Sequence, residues 1–152
     1  MPPLRTLLLI QLIASAAMTG IIWLVQVAIY PLFAKLSEAN FVSFHEHYMD
    51  LVTFVIAPLM LVEALTCFAC FFLSDKRRLF IPSSLLGLAW LSTAFIQVPQ
   101  HEALTLATVG GLVMSNWIRT LAWTARTCLL ARIVIHEQAA SDGKNSLDPI
   151  GA

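Results

Sequence analysis

The stretch Asn116-Trp117-Ile118-Arg119-Thr120-Leu121-Ala122-Trp123-Thr124-Ala125-Arg126 places two arginines in a segment otherwise apolar enough to lie in a bilayer. A guanidinium at the bilayer centre costs at least ~2.5–3.5 kcal/mol, so such residues face protein and have polar partners. That requirement implies further helices around this one. Of the 152 residues, 59% are hydrophobic and 12% are charged. A soluble domain carries about 25% charged residues, so the composition points to a polytopic membrane protein with the lipid bilayer as its solvent. The formal net charge is +0. No field exists that would attract nucleic acid, and no nucleic-acid partner is expected.

Apolar runs mark the spans. Leu7 to Phe33 is interrupted only by Gln11, Ser15, Thr19, Gly20 and Gln26. Ala14-Ser15-Ala16 imitates a signal-peptide cleavage site, but the run continues past it to Tyr30, so a retained first span ending near Pro31 is expected. Lys35 to Asp50 is polar, with Phe41, Phe44 and Tyr48 at helical spacing and Ser37 placed to cap. It reads as a short amphipathic segment leading into a second span, Leu51–Leu73, in which Pro58 predicts a kink. Leu79 to Val98 is a third span, broken by Pro99-Gln100-His101-Glu102. Ala103–Val113 reads as a short helix or loop, and a fourth span runs from about Met114 to Ile135. Residues 1–138 form one all-α, four-transmembrane-helix bundle, and 139–152 is expected as a flexible cytoplasmic tail.

Lys76-Arg77-Arg78 assigns the second loop to the cytoplasm by the positive-inside rule. Both termini then lie inside, consistent with a bacterial cytoplasmic (inner) membrane, and Lys35–Asp50 and Pro99–Val113 share the outer face. Cys67-x-x-Cys70 has redox-motif spacing but lies inside an apolar helix pattern, and Cys128 leaves an odd count. Buried thiols of this kind behave as small apolar groups.

The outer face thereby collects two histidine–acid clusters, His45-Glu46-His47 and His101-Glu102. Histidine with carboxylate is the usual ligand set for zinc, iron or copper, so His45, His47, His101 and Glu102 are candidate metal ligands, with a transition metal or haem as the cofactor alternative to none. His45 and His47 point about 200° apart on a helix, so only one of them can face His101. Glu63 is the sole full charge in the second span. It lies ~18 Å along the helix from Leu51, at a depth between Arg119 and Arg126 or nearest Arg126, and an internal Glu63–Arg pair is expected. Trp117, Tyr30 and Tyr48 fit an outer aromatic belt, while Trp123 lies deeper on the arginine helix. Trp117, Trp123, Arg126 and Tyr48 are the candidate binding residues around the arginines, and His101, Arg119 and Glu63 the candidate catalytic ones.

The order Tyr30-Pro31, Phe44-x-x-x-Tyr48-Met49, Pro58-Leu59-Met60, Val98-Pro99-x-x-x-x-Leu104 and Asn116-Trp117-x-Arg119-Thr120-x-x-Trp123-x-x-Arg126 resembles the small four-helix membrane proteins that include the anthrone oxygenases. It covers roughly residues 5–136. The resemblance implies a four-span bundle and cofactor-independent oxygenation of polycyclic phenolic anthrones, with Arg119 and His101 as polar site residues. The expected function is therefore an oxygenase or oxidoreductase acting on a hydrophobic aromatic molecule. A histidine would serve as base and Arg119 would stabilise the phenolate or enolate. The alternative is a metal- or haem-binding, or purely structural, subunit of a larger membrane complex or homo-oligomer.

Overall fold

A computed structural model describes residues 3–73 and 76–147, and these are almost entirely helical, with no strand among them. Helix α1 (Pro3–Leu24) passes through a π-helical turn, Val25–Ile29, into the short α2 (Tyr30–Phe33). Helix α3 spans Glu38–Leu73. Helix α4 (Lys76–Ser92) passes through a second π-helical turn, Thr93–Gln97, into α5 (Val98–Glu102). A 3-10 turn, Leu106–Thr108, introduces α6 (Val109–Leu147).

Proline explains both π-helical turns. Pro31 cannot donate to the carbonyl of Val27, and its ring crowds that carbonyl; Pro99 stands in the same relation to Phe95. The chain widens by one residue instead of breaking, so Tyr30 N–H bonds the Val25 carbonyl and Val98 N–H bonds the Thr93 carbonyl. The first span ends at Phe33, near Pro31 as expected, whereas Pro99-Gln100-His101-Glu102 was expected to break the third. Both stretches are helical because the π-helical register absorbs the missing donor. Pro58 is carried inside α3, exposed on its outer side.

Two further boundaries move. The polar lead-in and the second span are one helix, started by the Ser37 carbonyl, which accepts from Asn40 N–H and Phe41 N–H. At ~1.5 Å per residue its 36 residues reach ~54 Å, well beyond a ~30 Å hydrocarbon layer, so its polar start stands above that layer. Helix α6 begins at Val109 rather than Met114, after a capping box in which Thr105 and Thr108 satisfy each other's backbone. It continues to Leu147, so residues 139–147 of the expected tail are helical; residues 148–152, like Ser74 and Asp75 of the basic loop, lie outside the described residues.

The rods run up, down, up and down. One end gathers Leu8, Cys70, Leu79 and Leu130, and the other gathers Val25, Tyr30, Phe33, Phe41, Val109 and Leu112. Between them Met18, Ile22, Met60, Ala89, Ala122 and Trp123 fill the middle. Helix α6 packs along both α1 and α4, and α1 packs along α3, whereas α3 meets α4 over the thinnest seam. Outward positions are large and apolar, including Ile13, Phe54, Leu65, Phe68, Phe95, Met114 and Leu121. A water-soluble surface does not carry such a continuous apolar coat. The segments Leu4–Phe33, Glu38–Leu73 and Arg77–Glu102 are each long and apolar enough to cross a membrane, which makes this an integral membrane protein.

One ionic contact ties three of the rods. Arg126 Nε donates to Glu63 Oε1 at 3.3 Å, its Nη1 donates to the Pro82 carbonyl at 3.3 Å, and Trp123 Nε1 donates to Glu63 Oε2 at 2.9 Å. Both charged side chains are 0% exposed. Breaking such a pair strands a buried charge, whereas replacing both partners by apolar groups of similar volume removes the desolvation penalty as well. Glu63→Ala or Arg126→Ala is therefore expected to destabilise the bundle by about 3–5 kcal/mol. The double replacement Glu63→Leu with Arg126→Met is expected to recover most of that loss, as read by equilibrium unfolding in mixed micelles.

Candidate functional site

Along α6 the two arginines are held in different ways. Arg126 faces Glu63. Arg119, 7% exposed and two turns nearer the start of α6, has no carboxylate at ion-pair distance among the described residues. Its Nε donates to Asn116 Oδ1 at 2.9 Å and its Nη1 approaches Thr93 Oγ1 at 3.4 Å. Asn116 is itself fixed, because its amide donates to Gln26 Oε1 at 2.8 Å, and Gln26 in turn donates to the Val113 carbonyl. Neutral dipoles thus orient the guanidinium without cancelling its charge.

That guanidinium lines a cavity of about 220 Å³ between α3 and the α4–α5 rod. Tyr30, Tyr48, Gln97, His101, Thr93 and Arg119 form its polar end. Met49, Val52, Thr53, Ile56, Ala57, Met60 and Val98 form the rest. The walls contributed by Thr53, Ala57 and Val98 are exposed on the outer surface of the bundle, at the thin α3–α4 seam. The cavity therefore opens sideways, toward the apolar coat. A larger groove of about 540 Å³ lies beside α5, lined by Phe95, Ile96, Pro99, Gln100 and their neighbours. It presents no titratable side chain, so size does not identify the chemistry here.

The π-helical turns aim the polar end. By shifting the helical phase just before α2 and α5, they turn Tyr30 and His101 inward, and these are 1% and 8% exposed. Tyr30 Oη lies 2.9 Å from His101 Nε2 and 3.4 Å from Gln97 Oε1. His101 Nδ1 lies 2.9 Å from His45 Nε2. The two facing ring nitrogens share one proton, so both rings cannot be cationic on those atoms while the contact holds. Gln97 extends the network to Ser115, which donates to Gln100.

The expected site residues separate into groups. His101, Arg119 and Tyr48 are brought together around the cavity, with His45 behind His101. Glu63 and Arg126 do not line it; Met60, which does, belongs with Trp123 to the apolar cluster that fills the middle of the bundle. Glu63 is thus a structural partner and not a member of the Arg119 pocket, and Trp123 is committed to Glu63. Trp117 packs edge-on against Trp23, with ring centroids 5.6 Å apart, away from the cavity lining. His47 is exposed while His45, two residues before it, faces the bundle, as their 200° separation requires. Glu102 is exposed beside an outer cavity. His45, His47, His101 and Glu102 therefore do not converge, and the described residues hold no group of three His, Cys, Asp or Glu suited to a metal ion.

Sequence reasoning placed Tyr30 in an interfacial belt, and passed over Gln97 and Thr93. The missed signal is the proline: Tyr30 precedes Pro31 directly, and Gln97 stands two residues before Pro99, where the π-helical shift acts. No family model matches the chain, and neither a curated protein nor a solved structure shows significant similarity to it. In nitrogen-15 histidine spectra, His45→Phe is expected to shift both ring resonances of His101. His47→Phe is expected to leave them in place.

Proposed function

We propose that the protein is a membrane oxidoreductase that admits a hydrophobic phenol- or anthrone-like substrate from the bilayer and holds it as an oxyanion against Arg119. The observation that carries this reading is a buried guanidinium, with no carboxylate at ion-pair distance among the described residues, at the polar end of a largely apolar cavity. In a site that excludes water, a fixed cation stabilises a developing phenolate or enolate far more strongly than in solvent. The cavity lies below the ~300–1,000 Å³ of pockets that enclose drug-sized ligands. It therefore takes the oxygen-bearing head of the substrate, and the remaining rings lie in the α3–α4 seam.

The chemistry follows from the same residues. An anthrone carries an acidic methylene conjugated with its ring ketone. Loss of one proton from that carbon gives an enolate whose oxygen lies at Arg119, with Tyr30 and His101 placed to receive the proton. Dioxygen, the co-reactant, then oxidises the carbon from methylene to carbonyl. One oxygen atom is kept as the new ketone and the other leaves as water, so anthrone plus O2 becomes anthraquinone plus water without an external reductant. The resemblance noted in the sequence supports this class of substrate.

Helix α6 is read as a fourth crossing. Its polar residues Asn116, Arg119, Thr120 and Arg126 are turned inward, while Met114 and Leu121 face out. The basic run Lys76-Arg77-Arg78 supports a reading in which the α3–α4 loop and both termini face the cytoplasm and the histidine end faces the outer side, as in a bacterial inner membrane.

Purified protein given anthrone and dioxygen is expected to form quinone with matching oxygen uptake. Arg119→Gln is expected to lower kcat/KM by at least about tenfold, the loss of one hydrogen bond to a charged group at about 1.5–3 kcal/mol. Arg119→Lys should recover part of it. Turnover unchanged by Arg119→Gln would count against the proposal.

A further inference from the structure

We infer that Tyr30, His101 and His45 form a proton-discharge chain from the apolar cavity to a second cavity at the histidine end of the bundle. The inference rests on the reading that the first cavity holds an oxyanion, because a group that becomes an anion there must lose a proton to somewhere.

The second cavity, of about 470 Å³, is lined by His45, Glu46, Asp50 and Glu102 among others. It shares three wall residues with the apolar cavity: Met49, Val98 and His101. His101 is the polar one of the three, so the partition between the two spaces is an imidazole. On its inner side Tyr30 Oη lies 2.9 Å from Nε2, and on its outer side His45 Nε2 lies 2.9 Å from Nδ1. His45 is only half-buried.

The chain accepts a proton in either of two hydrogen-bond polarities. In one, Tyr30 O–H donates to His101 Nε2, and His101 Nδ1–H donates to His45 Nε2. In the other, His45 Nε2–H donates to His101 Nδ1, His101 Nε2–H donates to Tyr30 Oη, and Tyr30 O–H turns to Gln97 Oε1, 3.4 Å away. Passing from the first to the second moves one proton outward. Tyr30 takes the substrate's proton as it gives its own to His101 Nε2. The Nδ1 proton of His101 passes to His45 Nε2, and the Nδ1 proton of His45 is released to water. Every member begins and ends neutral, and rotation of the hydroxyl with tautomer exchange resets the chain.

The surroundings favour this direction. Facing His45 are Glu46 on its own helix, Asp50 one turn on, Glu102 and His101 from α5, and the ring of Phe33 from α2. The carboxylates of the outer cavity attract the departing proton, whereas Arg119, on the far side of His101, repels it. Glu63, the buried carboxylate of α3, does not line the cavity and is paired with Arg126.

The test mixes purified protein with 4-nitrophenol at a pH where the free phenol is protonated, and follows the yellow anion and released protons together by stopped flow. About one proton per bound anion is expected, with an anion signal that depends on Arg119. His45→Phe, which preserves the ring stacking with Phe41, and His45→Gln are expected to slow proton release at least about tenfold while the amount of bound anion at equilibrium stays within about twofold. His47→Phe should match the wild type. Release at the wild-type rate in both His45 variants, with the anion still bound, would overturn the discharge chain alone. Absence of an Arg119-dependent bound anion would overturn the oxyanion reading and this inference with it.

Discussion

A guanidinium surrounded by hydrocarbon must be compensated, and the arrangement of this bundle follows from two different ways of doing so. Seven residues apart on α6, Arg126 and Arg119 share a helix face and differ in their partners. Arg126 meets a carboxylate, which also accepts from an indole N–H, and a backbone carbonyl. Its charge is spent inside the protein, fixing α3, α4 and α6 in register. Arg119 is oriented by an asparagine and a threonine and reaches the Tyr30 hydroxyl, and with no carboxylate at ion-pair distance among the described residues its positive field is directed at the cavity. A charge left without a carboxylate beside an apolar space favours an anionic occupant, so the two arginines on one helix face differ in what they can do.

The prolines supply the second constraint. In a regular helix, Pro31 and Pro99 would each leave a carbonyl unpaired next to a kink. The π-helical turns Val25–Ile29 and Thr93–Gln97 absorb that defect and rotate the following turn. Tyr30 and His101 thereby meet across the bundle, and Gln97 and Thr93 join them around the cavity. Such turns recur at functional sites because they aim side chains that an unbroken helix would direct elsewhere. The thin α3–α4 seam leaves Thr53, Ala57 and Val98 of the cavity wall exposed toward the apolar coat.

Much of the architecture was legible from composition and periodicity. Runs of apolar residues near the length of a bilayer located the helices, and the cost of isolated membrane charges led to the Glu63–Arg126 pair. Separation of the two arginines by depth was legible too, since seven residues fix both face and rise. The failures cluster where 3.6-residue periodicity fails. Pro99-Gln100-His101-Glu102 looked like a break after the third span, though it is helical, and Tyr30 looked like an aromatic-belt tyrosine, though it is buried. Glu63 was grouped with Arg119 because sequence gives depth but not which side chains share a cavity, and Arg119 lines one that Glu63 does not. The histidine–acid clusters suggested metal ligands by residue type. Helical phase then sent His47 outward and paired His45 with His101 through a hydrogen bond.

The central claim is that the cavity binds its ligand as an anion at Arg119. The most direct measurement is the dissociation constant of the purified protein for ring-substituted phenols of matched size and hydrophobicity but graded acidity, all at one pH. Affinity that rises steadily with phenol acidity in the wild type, and loses that slope in Arg119→Gln, is the predicted result. Affinity that follows hydrophobicity alone, with the same slope in both proteins, would contradict it.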